Sequence, residues 1–207
     1  MATLEPASIK GSIFGRAVED LQKLVSDGEI TRASLESRLG PEGTELVDAS
    51  ILATSWYDVG IYGVMLEVLR DVVGNGSDAY LYRRGAESAE VLLEKGIYQQ
   101  MDYLSRTQVA SAADADERFR AFGRDLNLLV SLHEAIMNFG RQTASLDPDH
   151  SDRYMIELDD AGECPDTLCC TTTGFMNRMS REHGEGDLWE WSRPRRDLVV
   201  FRMTRAA

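Results

Sequence analysis

The sequence contains no long apolar run and no apolar leader. A helix that crosses a bilayer needs about 18 to 20 consecutive apolar residues, and no segment of this chain approaches that length. The first residues, Met1 to Phe14, also lack the basic segment and apolar stretch of a secretory signal peptide. The sequence therefore predicts a cytoplasmic protein that is not inserted into a membrane.

Positive charge is scarce. The chain carries 22 basic and 35 acidic residues, which gives a formal net charge of -13. A surface of this sign is repelled by nucleic-acid phosphate and by anionic lipid, so neither is expected as a partner. The local basic run from Arg193 to Arg196 is short, and we interpret it as a polar hairpin tip.

The motifs of several enzyme classes are missing as well. There is no Gly-x-Ser-x-Gly that would indicate a hydrolase nucleophile. Neither of the glycine-rich phosphate-binding patterns, Gly-x-x-x-x-Gly-Lys and Gly-x-Gly-x-x-Gly, occurs. We therefore expect the protein not to be an enzyme.

What is present is a helical N-terminal part followed by a strand-rich C-terminal part. Apolar residues recur at helical spacing from about 11 to 141, and the longest periodic stretch covers 114–140. From about 152 to 205 the pattern favours a small sheet, with one helix inserted after Gly174. The strand-like segments are 153–158, 167–173, 188–191 and 198–203. This order predicts a single α+β domain, 1–207, in which an N-terminal helical bundle precedes a small antiparallel sheet.

The segment from Asp58 to Val73 is apolar over most of its circumference. A surface helix needs only three or four apolar positions in every two turns. The surplus indicates either burial under neighbouring helices or a symmetric dimer face. We predict a homodimer that Val68→Glu would dissociate.

All three cysteines lie between Glu163 and Cys170. Three uses are open: a metal site, redox chemistry, or packing as small hydrophobic side chains. A zinc site would combine Cys164 and Cys169 with His183. On the predicted strand, however, adjacent Cys169 and Cys170 would face opposite sides, so the pattern favours packing.

His133 lies on the apolar stripe of the longest predicted helix. That stripe is formed by Phe119, Phe122, Leu126, Leu129, His133, Ile136 and Met137. A histidine in this position is either a core residue with a satisfied ring or a ligand-binding residue, for example one that ligates heme.

Three segments resemble a known fold superfamily. Ile13 to Leu21 resembles the opening helix of heme nitric-oxide/oxygen-binding (H-NOX) sensor domains, and Leu126 to His133 resembles their proximal helix. Tyr154 to Gly184 is similar to the segment of strands and helix that follows. Four-vinyl-reductase-type sensors and transport-particle (TRAPP) subunits share this fold. The resemblance implies an α+β sensor fold with His133 at the position of the heme ligand.

The sequence departs from the heme sensors at one motif. Those sensors hold the heme propionates with Tyr-x-Ser-x-Arg, and the corresponding positions here are Leu168, Cys170 and Thr172. Leucine, cysteine and threonine supply no cation for a propionate. The vinyl-reductase-type sensors bind zinc through cysteines near this segment, but their later cysteines have no counterpart here.

These observations predict a non-enzymatic cytosolic sensor or regulatory domain without a cofactor. Its ligand would be a small apolar molecule or a protein partner, and the chain would form a homodimer. The predicted ligand-binding residues are His133, Leu129, Phe122, Met137, Leu168 and Cys170. One alternative is a structural interaction module that dimerises like a TRAPP subunit, and a weaker alternative is a sensor that binds heme through His133 or zinc.

Overall fold

The computed structural model describes residues 6–94, 115–182 and 186–206. The helices are α1 (Gly11–Ser26), α2 (Arg32–Asp48), α3 (Val59–Val72), α4 (Ala79–Glu94), α5 (Ala115–Ile136) and α6 (Asp166–Glu182). The strands are β1 (Ser8–Lys10), β2 (Trp56–Asp58), β3 (Arg141–Asp147), β4 (His150–Asp159), β5 (Trp189–Arg195) and β6 (Leu198–Met203). A short 3-10 helix, Ala161–Glu163, precedes α6. The α+β class predicted from the sequence is confirmed.

The N-terminal helices α2 and α3 begin at residues whose side chains cap them, and α2 bends at a glycine. The side chain of Thr31 accepts a hydrogen bond from the Ser34 amide at the start of α2, 3.2 Å. Asp58 accepts one from the Ile61 amide at the start of α3, 2.9 Å. Within α2 the chain kinks at Gly40, whose φ of 69° is readily adopted only by glycine. The kink at this glycine and the following Pro41 divides α2 into two short helical segments.

Helix α3 is buried inside the molecule, which corrects the prediction about its outer side. Val68 is completely buried, as are Met65, Leu66 and Leu69. The surplus of apolar residues on this helix is therefore explained by burial under its own neighbours. Val68 is not on a surface that a second copy could cover.

The C-terminal sheet is antiparallel with the strand order β3-β4-β6-β5. The sequence predicted β4 and the β5–β6 hairpin, but it did not predict the edge strand β3. Strands β1 and β2, which form a separate two-stranded sheet, were also missed. Strands this short carry too few residues for the alternation of side chains to be read.

The largest correction concerns residues 167–173, which are helical and not a strand. Threonine favours strands because its side chain is branched at Cβ. Here Thr171 and Thr173 donate their hydroxyl hydrogens to the carbonyls of Leu168 and Cys169 within the helix, at 3.0 and 2.9 Å. These bonds satisfy the buried hydroxyl groups, and α6 continues without a break to Glu182.

One cluster of buried side chains includes residues of both the helical part and the sheet part, from Phe14 of α1 to Phe201 of β6. Among the described residues, no helix combines the length and apolar character that a membrane span requires. The functional candidates lie where α5 and α6 meet the rest of this cluster.

Candidate functional site

His133 lies in the last turn of α5 and its side chain is buried, with 4% exposed. Its Nε2 atom is 3.0 Å from the backbone oxygen of Phe139. A carbonyl oxygen only accepts, so Nε2 carries the hydrogen and donates it. Burial lowers the pKa of His133, which favours the neutral imidazole. The His133 ring therefore links the last turn of α5 to the segment in which the chain turns back into β3.

The end of α5 is also joined to the first strand. The Ser8 amide donates to the side-chain oxygen of Asn138 at 2.6 Å, and the Asn138 amide donates to the Ser8 carbonyl at 3.2 Å. Met137 forms an isolated β-bridge with Ile9. His133 and Met137 were both predicted to contact a ligand. They lie where the end of α5, the strand β1 and the segment that leads into β3 are joined by hydrogen bonds.

Aromatic rings pack α5 against the sheet. Phe119 stacks on Tyr154 of β4 with ring centroids 4.4 Å apart, and the Tyr154 hydroxyl donates to the Phe119 carbonyl at 3.2 Å. Phe122 lies between the rings of Tyr154 and Trp189, at 6.3 and 6.4 Å. Part of the face predicted to contact a ligand is therefore covered by the protein's own aromatic side chains.

Leu168 and Cys170 lie on α6 and are both buried. With Phe122 they belong to the same buried cluster, and Met137 packs against it. Leu129 lies on α5, but its side chain is outside the part that the structure describes. That these residues bind a ligand stays a prediction.

The residues do not fit heme. An axial histidine must direct a nitrogen lone pair at the iron, and Nε2 of His133 has none to offer while it donates to the Phe139 carbonyl, which leaves only Nδ1. The positions that hold propionates in the heme sensors are Leu168, Cys170 and Thr172, which lie on α6 and contribute no positive charge.

Cys164 and Cys169 form a buried pair of thiols. Their Sγ atoms are 3.8 Å apart, and the two side chains are 7% and 0% exposed. Cys164 follows the 3-10 helix, and the amides of Leu168 and Cys169 donate to the Pro165 carbonyl at 3.0 and 3.2 Å. This first helical turn brings Cys169 back over Cys164. Cys169 and Cys170 lie on a helix and not on the predicted strand, so the predicted strand geometry is wrong, although Cys170 does not join the pair.

Arg193 holds this pair from the β5–β6 hairpin. Its Nη2 atom donates to the Cys164 carbonyl at 2.7 Å and lies 3.9 Å from the Cys169 sulfur. Its Nε atom donates to Asp166, the first residue of α6, at 3.0 Å. The sequence predicts a polar hairpin tip at Arg193 and gives no sign of this role. The only available signal was an arginine at the end of a strand, which does not identify a partner 29 residues away.

The surroundings shift the pKa values of Cys164 and Cys169 in opposite directions. The hydrogen bond from Cys169 lowers the pKa of Cys164, and the nearby Arg193 guanidinium lowers it further against the opposing effect of burial. The pKa of Cys169 is raised, because its proton is held in the bond to Cys164 and because the group is buried. Cys170 is turned away towards Tyr82 and Trp191, and burial raises its pKa.

The zinc alternative has two of its three proposed ligands in contact, Cys164 and Cys169. The third, His183, lies outside the described residues. Within 6–94, 115–182 and 186–206 no group of three or more His, Cys, Asp or Glu side chains is placed to hold a metal ion. The positive charge of Arg193 beside the two sulfurs disfavours a cation there.

Comparison with known proteins identifies the fold. No protein-family model matches the sequence, and no curated protein matches it significantly. Among solved structures, a point mutant of an H-NOX protein from K. algicida in the Fe(II) unliganded state has a TM-score of 0.53 and 13% identity, covering 94% of this chain and 95% of that chain. An H-NOX protein from S. oneidensis in the Fe(II)NO ligation state has a TM-score of 0.50 and 12% identity, covering 94% and 98%. Identities this low establish the fold alone, and this chain has the fold of H-NOX proteins.

Proposed function

We propose that this chain is a non-enzymatic sensor or regulatory domain that acts in the cytosol without heme. Its ligand is a small apolar molecule or a protein partner. The fold supports the sensor class, because the two structural neighbours are H-NOX proteins and one of them was solved with NO on Fe(II). Leu168, Cys170 and Thr172, at the positions that hold the heme propionates in the heme sensors, support a ligand other than heme for this chain.

The hydrogen bond between His133 and Phe139 carries the proposal. To ligate iron through Nε2, the ring would have to lose a 3.0 Å bond to a backbone oxygen. That oxygen lies in a part-buried place, and loss of its bond to the ring costs about 0.5 to 1.5 kcal/mol. No positively charged side chain at Leu168, Cys170 or Thr172 would offset this cost by binding a propionate.

A hemin titration of the full chain tests the proposal. We expect no saturable Soret band at one hemin per chain, and we expect wild type, His133→Ala and His150→Ala to give the same weak background. His150 is the matched control, because it is an exposed histidine on β4. A stoichiometric Soret band that is lost in His133→Ala but kept in His150→Ala would contradict the proposal. Native mass spectrometry of freshly purified protein would reveal an apolar ligand that co-purifies.

The homodimer is part of the proposal, although Val68 is not its contact residue. Sedimentation velocity at several concentrations measures the mass directly. A dimer of twice 23.1 kDa without any bound molecule would favour the alternative, a structural interaction module. A ligand that co-purifies with the chain would favour the sensor.

A further inference from the structure

The pair Cys164 and Cys169 has a geometry that packing alone does not require. Two sulfurs at 3.8 Å are in contact, and a disulfide of about 2.05 Å forms by a small approach of the same two atoms. Both residues flank the start of α6, where the backbone amides and the helix dipole favour a negative charge. The Arg193 guanidinium adds a fixed positive charge next to the pair.

We infer that Cys164 and Cys169 are a redox-reactive dithiol that a small hydroperoxide converts into an intramolecular disulfide. Cys164 is the residue that reacts with the hydroperoxide first, because it is the only one of the pair with any exposed surface. Cys169 is the resolving residue. This inference goes beyond the proposed function, because the chemistry requires neither an apolar ligand nor a protein partner.

The reaction has two balanced steps. The Cys164 thiolate attacks one oxygen of the hydroperoxide, the O–O bond breaks, and the products are Cys164 sulfenic acid and an alkoxide or hydroxide that takes up a proton. The Cys169 sulfur then attacks the Cys164 sulfur, the S–O bond breaks, and water leaves with the Cys169 proton. The two cysteines are together oxidised by two electrons, and the peroxide is reduced by two. A reducing dithiol reverses the change by exchange.

The surroundings of the pair place one cation and one anion beside the two sulfurs. Either thiol can donate the hydrogen of the contact between them, and the Arg193 Nη2 atom lies 3.9 Å from the Cys169 sulfur. Asp166 is also close, but it is engaged by Arg193 in an ion pair at 2.9 Å. Arg193 therefore has a positioning role, since it stabilises the thiolate without contacting the oxidant in the resting structure.

Oxidation also has a structural consequence within the described contacts. Arg193 donates to the carbonyls of Ala161, Cys164 and Arg196, at 3.1, 2.7 and 3.1 Å. It thus joins the start of α6 to the turn between β5 and β6. Formation of the disulfide removes the thiolate that faces this guanidinium. In a reducing cytosol such a bond is transient, as disulfides that sense oxidants are.

Peptide mapping of the oxidised wild-type chain is the primary test, because it needs no variant that could fail to fold. The reduced protein is treated with hydrogen peroxide at low protein concentration, the remaining thiols are alkylated, and the digest is analysed by mass spectrometry. We expect one intramolecular Cys164–Cys169 disulfide, a free Cys170, and full reversal by dithiothreitol. A disulfide that includes Cys170, a disulfide between chains, or equally slow oxidation of all three thiols would overturn the inference.

Single substitutions separate the roles of the three thiols. Cys169→Ser should accumulate a sulfenic acid at Cys164 that dimedone traps, whereas Cys164→Ser should leave Cys169 unreactive. Cys170→Ser is the matched control, and it should form the disulfide at the wild-type rate. Dimedone labelling of Cys169 in Cys164→Ser at the rate of Cys164 in Cys169→Ser would overturn the assigned order.

The contribution of Arg193 is tested by a pair of variants. Arg193→Gln should slow disulfide formation by about threefold for every unit by which the thiol pKa rises, and it should move the pH profile of the rate to higher pH. Arg193→Lys keeps the charge and should recover most of the rate. If both variants change the unfolding midpoint but leave the pH profile of the rate unmoved, Arg193 only supports the structure and its assigned role is wrong.

Discussion

Gly85 of α4 and Gly174 of α6 bring the backbones of their two helices into direct contact. A Cβ atom on Gly85 would lie 1.9 Å from the Thr171 carbonyl oxygen, and one on Gly174 would lie 1.9 Å from the Tyr82 carbonyl oxygen. Real Cβ atoms do not approach backbone atoms so closely, so this helix crossing depends on two glycines. The crossing positions α6, the helix that carries Cys169 and Cys170.

The first prediction concerns this crossing. In an ordinary helix interior Gly→Ala stabilises by about 1 kcal/mol, but we expect Gly85→Ala and Gly174→Ala each to destabilise by about 1 to 3 kcal/mol, because the helices must move apart. Urea unfolding monitored by circular dichroism measures the change. Gly162→Ala is the control, since nothing lies within 4 Å of its added Cβ. Equal midpoints for all three variants would mean that the helices are not in backbone contact.

The second prediction concerns Val68. Because this side chain is completely buried, Val68→Glu should unfold the protein and not dissociate a dimer, since an ionised carboxylate in the core costs more than about 4 kcal/mol. Val73, at the end of the same helix, is 42% exposed, and Val73→Glu should leave the circular dichroism spectrum and the unfolding midpoint nearly unchanged. A folded Val68→Glu monomer obtained from a wild-type dimer would restore the dimer-face interpretation of α3.

The third prediction concerns a buried cation. The Arg84 side chain is 7% exposed and pairs with Asp20, whose side chain is 40% exposed. Asp20→Asn should destabilise the fold by about 1 to 3 kcal/mol, because the Arg84 charge loses its carboxylate partner. This range already allows for the solvent that screens the partly exposed Asp20. The double substitution Asp20→Asn with Arg84→Met should recover part of the loss.

The pair Arg32 and Asp48 supplies the comparison for that test. Its side chains are 41% and 63% exposed, so Asp48→Asn should cost less than about 1 kcal/mol. Thermal and urea unfolding of the wild type, Asp20→Asn, the double variant and Asp48→Asn measure the differences in stability. If Asp48→Asn costs as much as Asp20→Asn, burial of Arg84 is not what makes its ion pair important.

The fourth prediction concerns pH. Burial lowers the pKa of His133 below its ordinary value of 6.5, so the folded protein takes up this proton only at a lower pH than the unfolded chain does. Above about pH 7.5 the imidazole is neutral in both states and has no effect. As the pH falls through 6.5, the unfolded chain is protonated first, and stability is lost until the pH passes below the folded-state pKa.

Unfolding free energies between pH 7.5 and pH 5.5 test this sign. His133→Gln should lose stability less steeply than wild type over this range, whereas His150→Gln, which changes an exposed histidine, should follow the wild-type slope. Equal slopes for wild type and His133→Gln would mean that the imidazole is not held neutral by the fold.

The sequence by itself determined the parts of this fold that depend on local chemistry. Helical spacing of apolar residues predicted the helical part that holds α1 to α5, and the side chains of Thr31 and Asp58 cap α2 and α3 through local hydrogen bonds. The sequence also showed that the motif positions Leu168 and Thr172 carry no cation, because the charge of a side chain follows from the identity of the residue. The H-NOX fold followed from the order of these elements and from three short similar segments.

The tertiary structure decided what depends on distant partners. The Thr-rich run at 167–173 has a local preference for strand, but it is a helix because its hydroxyls find carbonyl acceptors and Gly174 packs on Tyr82 from α4. His133 finds its acceptor only after the chain reverses into β3. The pairing of Cys164 with Cys169 needs a helix start, and Arg193 reaches it from a hairpin 29 residues away. Pairwise distances of this kind are set by packing of the whole chain, and no local pattern encodes them.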